Sequence, residues 1–532
     1  MMREFLYSLF NNFTYRLFTM MKKISLQIFS ACLLLLIGGN NLSAQREPVN
    51  AQLVEAIRKE GLEKSQVMEV AAWLTDVHGP RLTGSPKLDD ATRWAKSQLE
   101  KWGMSNVHLE EWGPFGRGWQ LSHFSMHALA PSYFPIIAVP KAWSGSTKGE
   151  ISGEVIYLNA NDSTDLPAYK GKLKGKFILL DTTRELNEWF DAPAVRYSDA
   201  SLLQMAQAPL PGGRPERDYS RMGGFSFNNQ LWKFISEEKP AAVLDRGFKG
   251  DLGVVFATGA RVTTGRAQDV DNPVIPQATL SVEHYNRILR LVNRNMPVSV
   301  SLNLLGTYTN PDGMEHNLIA EIPGSDKADE VVMLGAHLDS WHNGTGATDN
   351  AAGSAVMMEA LRIIHEVTKA TGIKPRRTIR LALWSGEEQG LLGSRAYVKN
   401  HFGETPEGDA KRAKLSAYYN LDNGTGKIRG IYTQGNEKIA PIFNSLLQPF
   451  RDLGAGTVTY SNTGGTDHQA FDGVGIPGFQ FIQEPIAYST RTHHSNMDHL
   501  DHLIPDDLKQ AATVIASIVL HTAMRDELMP RK

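Results

Sequence analysis

The residues able to do chemistry gather in the second half of the chain: His337, Asp339 and Asp349, the adjacent Glu387 and Glu388, then Asp422, then His493, His494 and Asp498. Imidazole and carboxylate groups supply nitrogen and oxygen donors for a divalent metal and can pass protons. One at a time they say little. An acid at a strand end is usually a helix cap or turn residue, and a histidine pair in a loop is commonplace. Their order, each after or near an apolar run, points to metal-assisted catalysis. The one cysteine, Cys32, lies in a segment expected to be removed, so the mature protein should hold neither a disulfide nor a thiolate ligand.

Those runs are the elements that must position the set. Residues 331–336 read as a strand buried on both faces that empties into His337, and 378–384 precede Ser385-Gly386-Glu387-Glu388. Residues 417–421 precede Asp422, and 479–482 lie ahead of the histidine pair. With a strand at 317–322 and a helix from about residue 351, carrying Val356, Ala360, Ile363 and Val367 on one side, strands and helices alternate. The alternation predicts an α/β fold, a mostly parallel sheet covered by helices on both faces, which takes its ligands at the carboxyl edge. Residues 49–112 have a helical pattern, with Leu88, Ala91, Ala95, Leu99 and Trp102 in an amphipathic stripe. From about 131 to 304, short apolar runs such as 155–158 and 177–180 are separated by turn residues, with a Pro/Gly-rich loop at 209–224. This reads as a smaller β-rich domain without a catalytic cluster, whose job is to wall or shape a cleft.

A chain of 532 residues exceeds one average core, so two domains are expected. A formal net charge of -2 gives no electrostatic case for nucleic acid or an anionic membrane as partner. At the N-terminus, Lys22 and Lys23, the apolar run 24–37 and Leu42-Ser43-Ala44 read as an export signal over 1–44, cleaved near Ala44. Met20 or Met21 would be the more normal start. The run is short for a membrane span, so the expected destination is periplasmic or extracellular, with no membrane attachment after removal.

The series HLDS, GATDNAAG, WSGEEQG, NLD and HHSNMD resembles the co-catalytic di-zinc exopeptidases of the zinc aminopeptidase and glutamate carboxypeptidase type. The nearest likeness is to the plasma glutamate carboxypeptidase-like dipeptidase branch, which carries an inserted protease-associated domain. The resemblance covers most of the chain after the leader. It implies a catalytic domain made of 45–130 and 305–528, with 131–304 as the insert. It further implies two Zn2+ per chain, one held by His337, Asp349 and Asp422, the other by Asp349, Glu388 and His494. Glu387 matches the general base, and Asp339 the acid that holds an imidazole in one tautomer. Dipeptidase relatives are often dimers, which makes a homodimer an expectation by resemblance only.

Two cations roughly 3.5–4 Å apart lower the pKa of a shared water and polarise a scissile carbonyl. A bridging carboxylate offsets their repulsion, and Glu387 would take the water's proton and return it to the leaving amine. Tyr488 and His493 are the candidates for assisting the oxyanion. The expected activity is a secreted exopeptidase acting on short peptides, as an aminopeptidase or dipeptidase. A carboxypeptidase of the same fold is the alternative; those enzymes have Tyr before the last ligand, where this chain has His493. Two further readings are a non-catalytic receptor-like binding protein, which would have lost ligands kept here, and a glutaminyl cyclase-like acyltransferase, with one zinc and no large insert. Asp467-His468 is assigned to loop structure or pocket wall, and His342, His499 and His502 to solvated loops. Trp341 and Trp384 are assigned to packing, and Arg81 to a surface or structural ion pair.

Overall fold

In the computed structural model, which describes residues 47–212, 222–310 and 312–532, the apolar run ending at His337 lies in the middle of an eight-stranded sheet. Across that sheet the order is Ser105–Trp112, Glu315–Ile322, Arg377–Trp384, Lys327–His337, Leu415–Asn420, Gly478–Gln483, Ile428–Tyr432 and Thr457–Thr459. Its central four strands are mutually parallel, while the first two join antiparallel on one side and Ile428–Tyr432 on the other. The parallel centre matters because it sends four strand ends to one edge.

Side-chain alternation explains why the run reads as continuously apolar. Val332, Leu334 and Ala336 enter one core with the helices Ala51–Glu63, Ala352–Thr371 and Pro505–Met524. Met333, between them, enters a second core on the opposite face with Trp384, Tyr397, Phe402 and Phe471. A strand covered on both faces has no polar side to show. Val356, Ala360, Ile363 and Val367 are buried as expected. So are Leu88, Ala91, Ala95 and Leu99, on the helix Pro86–Lys101, which Ser85 caps by accepting the Leu88 N–H.

A second eight-stranded sheet has the order Phe134–Pro135, Gly118–Ala130, Ser299–Thr309, Ile151–Tyr157, Phe177–Leu179, Ala242–Asp245, Gln277–Leu280 and Ala138–Pro140. Its two long strands pair antiparallel from Gly118 opposite Thr309 to Ala130 opposite Ser299. The chain therefore enters and leaves this sheet side by side.

Two differences from the sequence reading stand out. The helical pattern ends before Ser105, because Ser105–Trp112 is an edge strand whose mixed, half-exposed residues alternate only weakly. The smaller sheet also begins at Gly118 and runs to Thr309, beyond both ends of 131–304. Of the loop 209–224, residues 213–221 lie outside the described residues, and a helix starts at Met222. The leader expected over 1–44 also lies outside them. Among the described residues no helix is long and apolar enough to cross a membrane.

Candidate metal centre

Each of the four parallel strands delivers donors past its carboxyl end. His337 is the last residue of its strand, and Glu387 and Glu388 follow Arg377–Trp384. Asp422 follows Leu415–Asn420, and His494 lies beyond Gly478–Gln483 and the turn Tyr488–Thr492. They meet around Asp349. His337 Nε2 lies 3.4 Å from Asp349 Oδ1 and 3.6 Å from Asp422 Oδ2. His494 Nε2 lies 3.2 Å from Asp349 Oδ2 and 2.9 Å from Glu388 Oε2. Glu387 Oε2 stands 4.0 Å from His337 Nε2. All five expected donors and Glu387 are thus brought together, with Asp349 facing both histidines.

Among the described residues two donor groups emerge, each with its atoms within 4.8 Å of one another: His337, Asp349 and Asp422, and Asp349, His493 and His494. His493 is the addition. Its Nε2 is 3.8 Å from Asp349 Oδ2, and its ring lies 3.7 Å from that of His494. The sequence marks it as a neighbour of His494 and a candidate for assisting the oxyanion, not as a metal donor.

The supports are as specific as the donors. His337 Nδ1 meets the backbone carbonyl of Asp339 at 3.0 Å, so it carries the proton and Nε2 presents its lone pair to the centre. The Asp339 carboxylate, 3.6 Å from that ring, instead accepts the amides of Glu387 and Glu388, both at 3.2 Å, and the Thr83 hydroxyl at 2.9 Å. Asp498 accepts the amides of Thr348 and Asp349 at 2.7 and 3.1 Å, which ties the segment carrying Asp349 to the histidine segment. Gly346, before Asp349, has φ 67°, and a Cβ there would stand 2.3 Å from that of Ser340. Only glycine fits.

Arg81 is fully buried and pairs with carbonyls rather than a carboxylate. Its guanidinium donates to the carbonyls of Leu74, Leu338, Thr345 and Gly346 at 2.7–2.8 Å. It therefore clamps both ends of the loop between His337 and Asp349 to the segment at Leu74. Burial lowers its pKa to about 10, with Asp498 and Asp339 opposing. The sequence shows an arginine in a Gly/Pro loop; three of the four carbonyls are more than 250 residues away.

Electrostatically the centre calls for cations. Burial works against a charged His494, yet Glu388 and Asp349 carry it up to about 10. Burial pushes Glu388 up to about 7, and Glu387 is held well above the carboxylate range, burial first and Asp422, Asp467 and Glu388 adding. Glu388 Oε1 is buried with no hydrogen-bond partner. Crowded carboxylates, imidazole lone pairs and an orphaned oxygen fit a pair of divalent ions.

The remaining residues fall outside the two groups. Asp467 is buried near the acids and His468 meets Gln434. His342, expected in solvent, is instead held by the Pro140 carbonyl at 2.7 Å and the Trp119 edge, and burial lowers its pKa to about 4. His499 meets the Asn496 carbonyl, and His502 is half-buried. Trp384 packs against Tyr397 and Tyr418, and Trp341 against Trp143 and His494. The smaller sheet's loops reach this region: the Ala257 N–H donates to the His494 carbonyl at 3.3 Å, and Phe256 bridges to Ser495.

Comparison with known proteins agrees with the geometry. The model of peptidase family M28 matches residues 317–519, which hold every donor named above. Carboxypeptidase Q of Xenopus laevis is 30% identical over 88% of this chain and 88% of its own length, and that of Mus musculus 27% over the same shares. A peptidase M28 precursor from Shewanella amazonensis superposes with a TM-score of 0.65 at 26% identity, covering 90% of this chain and 98% of its own. A zinc aminopeptidase from Bacillus subtilis has the same fold, with a TM-score of 0.55 at 19% identity over 87% of this chain and 95% of its own. A donor set at the carboxyl edge of a parallel sheet and a full-length relative at this identity lead to one conclusion: the chain belongs to peptidase family M28.

Proposed function

We propose that the protein is an exported exopeptidase with two zinc ions, cutting short peptides as an aminopeptidase or dipeptidase. The observation that carries this reading is the convergence of His337, Asp422, His494 and Glu388 on Asp349 within 2.9–3.6 Å of neighbouring donors. His337, Asp349 and Asp422 would hold one ion, and Asp349, Glu388 and His494 the other, with His493 beside it. When bound, such ions supply Lewis-acid polarisation of a carbonyl and acidify water.

The chain's own residues do the rest. Glu387 takes a proton from the attacking water on its carboxylate and delivers it to the leaving amine nitrogen. Asp339, through the two amides it accepts, keeps Glu387 and Glu388 pointing apart, so that one serves the proton and the other the metal. Tyr488, half-buried with its ring 4.7 Å from that of His493, is the candidate donor to the oxyanion. The smaller sheet is the inserted protease-associated domain in this reading, the leader over 1–44 directs export, and the protein pairs as a homodimer.

A carboxypeptidase of the same fold is the second reading, favoured by the name of the Carboxypeptidase Q relatives. The deciding experiment is a release assay on purified protein with free dipeptides, N-blocked peptides and C-amidated peptides, with and without a chelator. Free dipeptides are cleaved, chelation abolishes turnover and zinc restores it. Cleavage of N-blocked peptides overturns the amino-end reading, and turnover indifferent to chelation overturns the metal reading.

A further inference from the structure

Besides Arg81, a second cation approaches the centre without a carboxylate of its own. Lys249, on the loop after the strand Ala242–Asp245, is half-buried and forms no ion pair among the described residues. Its Nζ donates to the Ser489 carbonyl at 2.8 Å and lies 4.1 Å above the Phe256 ring. Both contacts lead to the histidine pair. Ser489 follows Tyr488, whose ring lies against His493, and Phe256 bridges to Ser495, the residue after His494. The ammonium is thus fixed between the two segments that flank His493-His494. Asp349 and His493 both feel its charge.

A half-desolvated ammonium with N–H groups left over after one carbonyl is a poor structural device and a good anion receptor. In peptide hydrolysis at a free carboxyl end, the released residue carries its carboxylate two bonds from the leaving nitrogen. Successive α-carbons are about 3.8 Å apart, so that carboxylate must lie at the immediate edge of the metal centre. Lys249 and Ser489 line a cavity of about 490 Å³ together with Arg184, Trp189 and Phe190, which gives room for a side chain. The acids around this cavity do not claim the ammonium. Glu185, Glu188 and Asp191 are exposed at the rim, and Asp251 accepts the Trp189 N–H at 2.7 Å.

The geometry points to Lys249 as the receptor for the α-carboxylate of the substrate's C-terminal residue, which makes short peptides with a free carboxyl end the substrate class. The inference rests on the peptidase reading above and narrows it toward dipeptides.

The test compares zinc-loaded wild type, Lys249→Gln and Lys249→Arg on one dipeptide as its free acid and as its C-terminal amide, with zinc content measured for each. Wild type should prefer the acid by about ten- to hundredfold in kcat/KM, the worth of one charge-assisted hydrogen bond. Lys249→Gln should bring that ratio close to unity, mainly through KM for the acid, and Lys249→Arg should recover most of it. A Gln variant that slows acid and amide in equal proportion marks Lys249 as a prop for Ser489 and overturns the inference. So does a wild type indifferent to amidation. If zinc-loaded wild type cleaves neither peptide, the peptidase reading itself fails and takes the inference with it.

Discussion

Asp339 Oδ1 receives the backbone N–H of Glu387 at 3.2 Å, which fastens the turn carrying the acid pair to the loop that follows His337. An amide at position 339 would turn a donor toward one of the two N–H groups that the carboxylate satisfies together. Asp339→Asn is therefore expected to weaken zinc binding about ten- to hundredfold and to depress kcat at saturating zinc. Zinc competition against a chromogenic chelator, alongside kcat, checks both.

Glu387 and Glu388 are neighbours in sequence but face different partners, His337 at 4.0 Å and His494 at 2.9 Å. Glu387→Gln should keep both zinc ions and lose about 10²- to 10⁴-fold in kcat, as expected when a general base is removed. Glu388→Gln should lose zinc first. Metal analysis of dialysed variants separates the two, and the reverse pattern would mean that the roles are exchanged.

Arg81 satisfies four buried carbonyls on three stretches of chain. Arg81→Met would leave them without a donor, at about 1–3 kcal/mol for each that water cannot reach. The expected outcome is a loss of at least about 3 kcal/mol of stability, together with weaker zinc retention, because the loop joining His337 to Asp349 is released. Arg81→Lys should recover only part, since an ammonium lacks the planar fork. Chemical unfolding with zinc analysis reads both effects.

Glu315 is 3% exposed and accepts the Asn310 side-chain N–H at 3.0 Å. Burial pushes its carboxyl up to about 8, with Asp89 and Asp339 adding. Unfolded, the group titrates near about 4.3. Between those values the folded form holds a proton that the unfolded form has released. Its effect on stability is thus most favourable below the unfolded value and is lost as pH rises through the folded one, at up to about 1.4 kcal/mol per pH unit. Glu315→Gln should remove that slope. Urea midpoints of both proteins at about pH 5.5 and pH 7.5 give the comparison.

Much of this centre was legible in the sequence because a strand buried on both faces must be apolar throughout, so its first polar residue marks the edge where ligands sit. His337 announces itself in that way, Asp422 and the acid pair only by following strands of mixed residues, and the resemblance adds their roles. The edge strand Ser105–Trp112 does not, because half its surface meets solvent and its residues are mixed. Arg81 was visible as a residue but not as a clamp, since its acceptors are main-chain carbonyls with no side-chain signature. His342 reads as a loop histidine because Trp119 and Pro140, which enclose it, lie some two hundred residues away. Lys249 carries no sequence signal for the same reason. Its neighbours Ser489 and Phe256 are joined only by the fold.

The paired strands Gly118–Ala130 and Ser299–Thr309 make a single doorway through which about 170 residues depart and come back. A cassette mounted on such a doorway can be lengthened, trimmed or exchanged without stretching the scaffold that surrounds it. Its far loops, carrying Lys249, Phe256 and Ala257, nonetheless finish beside His494. Variation confined to this module can therefore retune which peptides are admitted while every metal donor stays as it was.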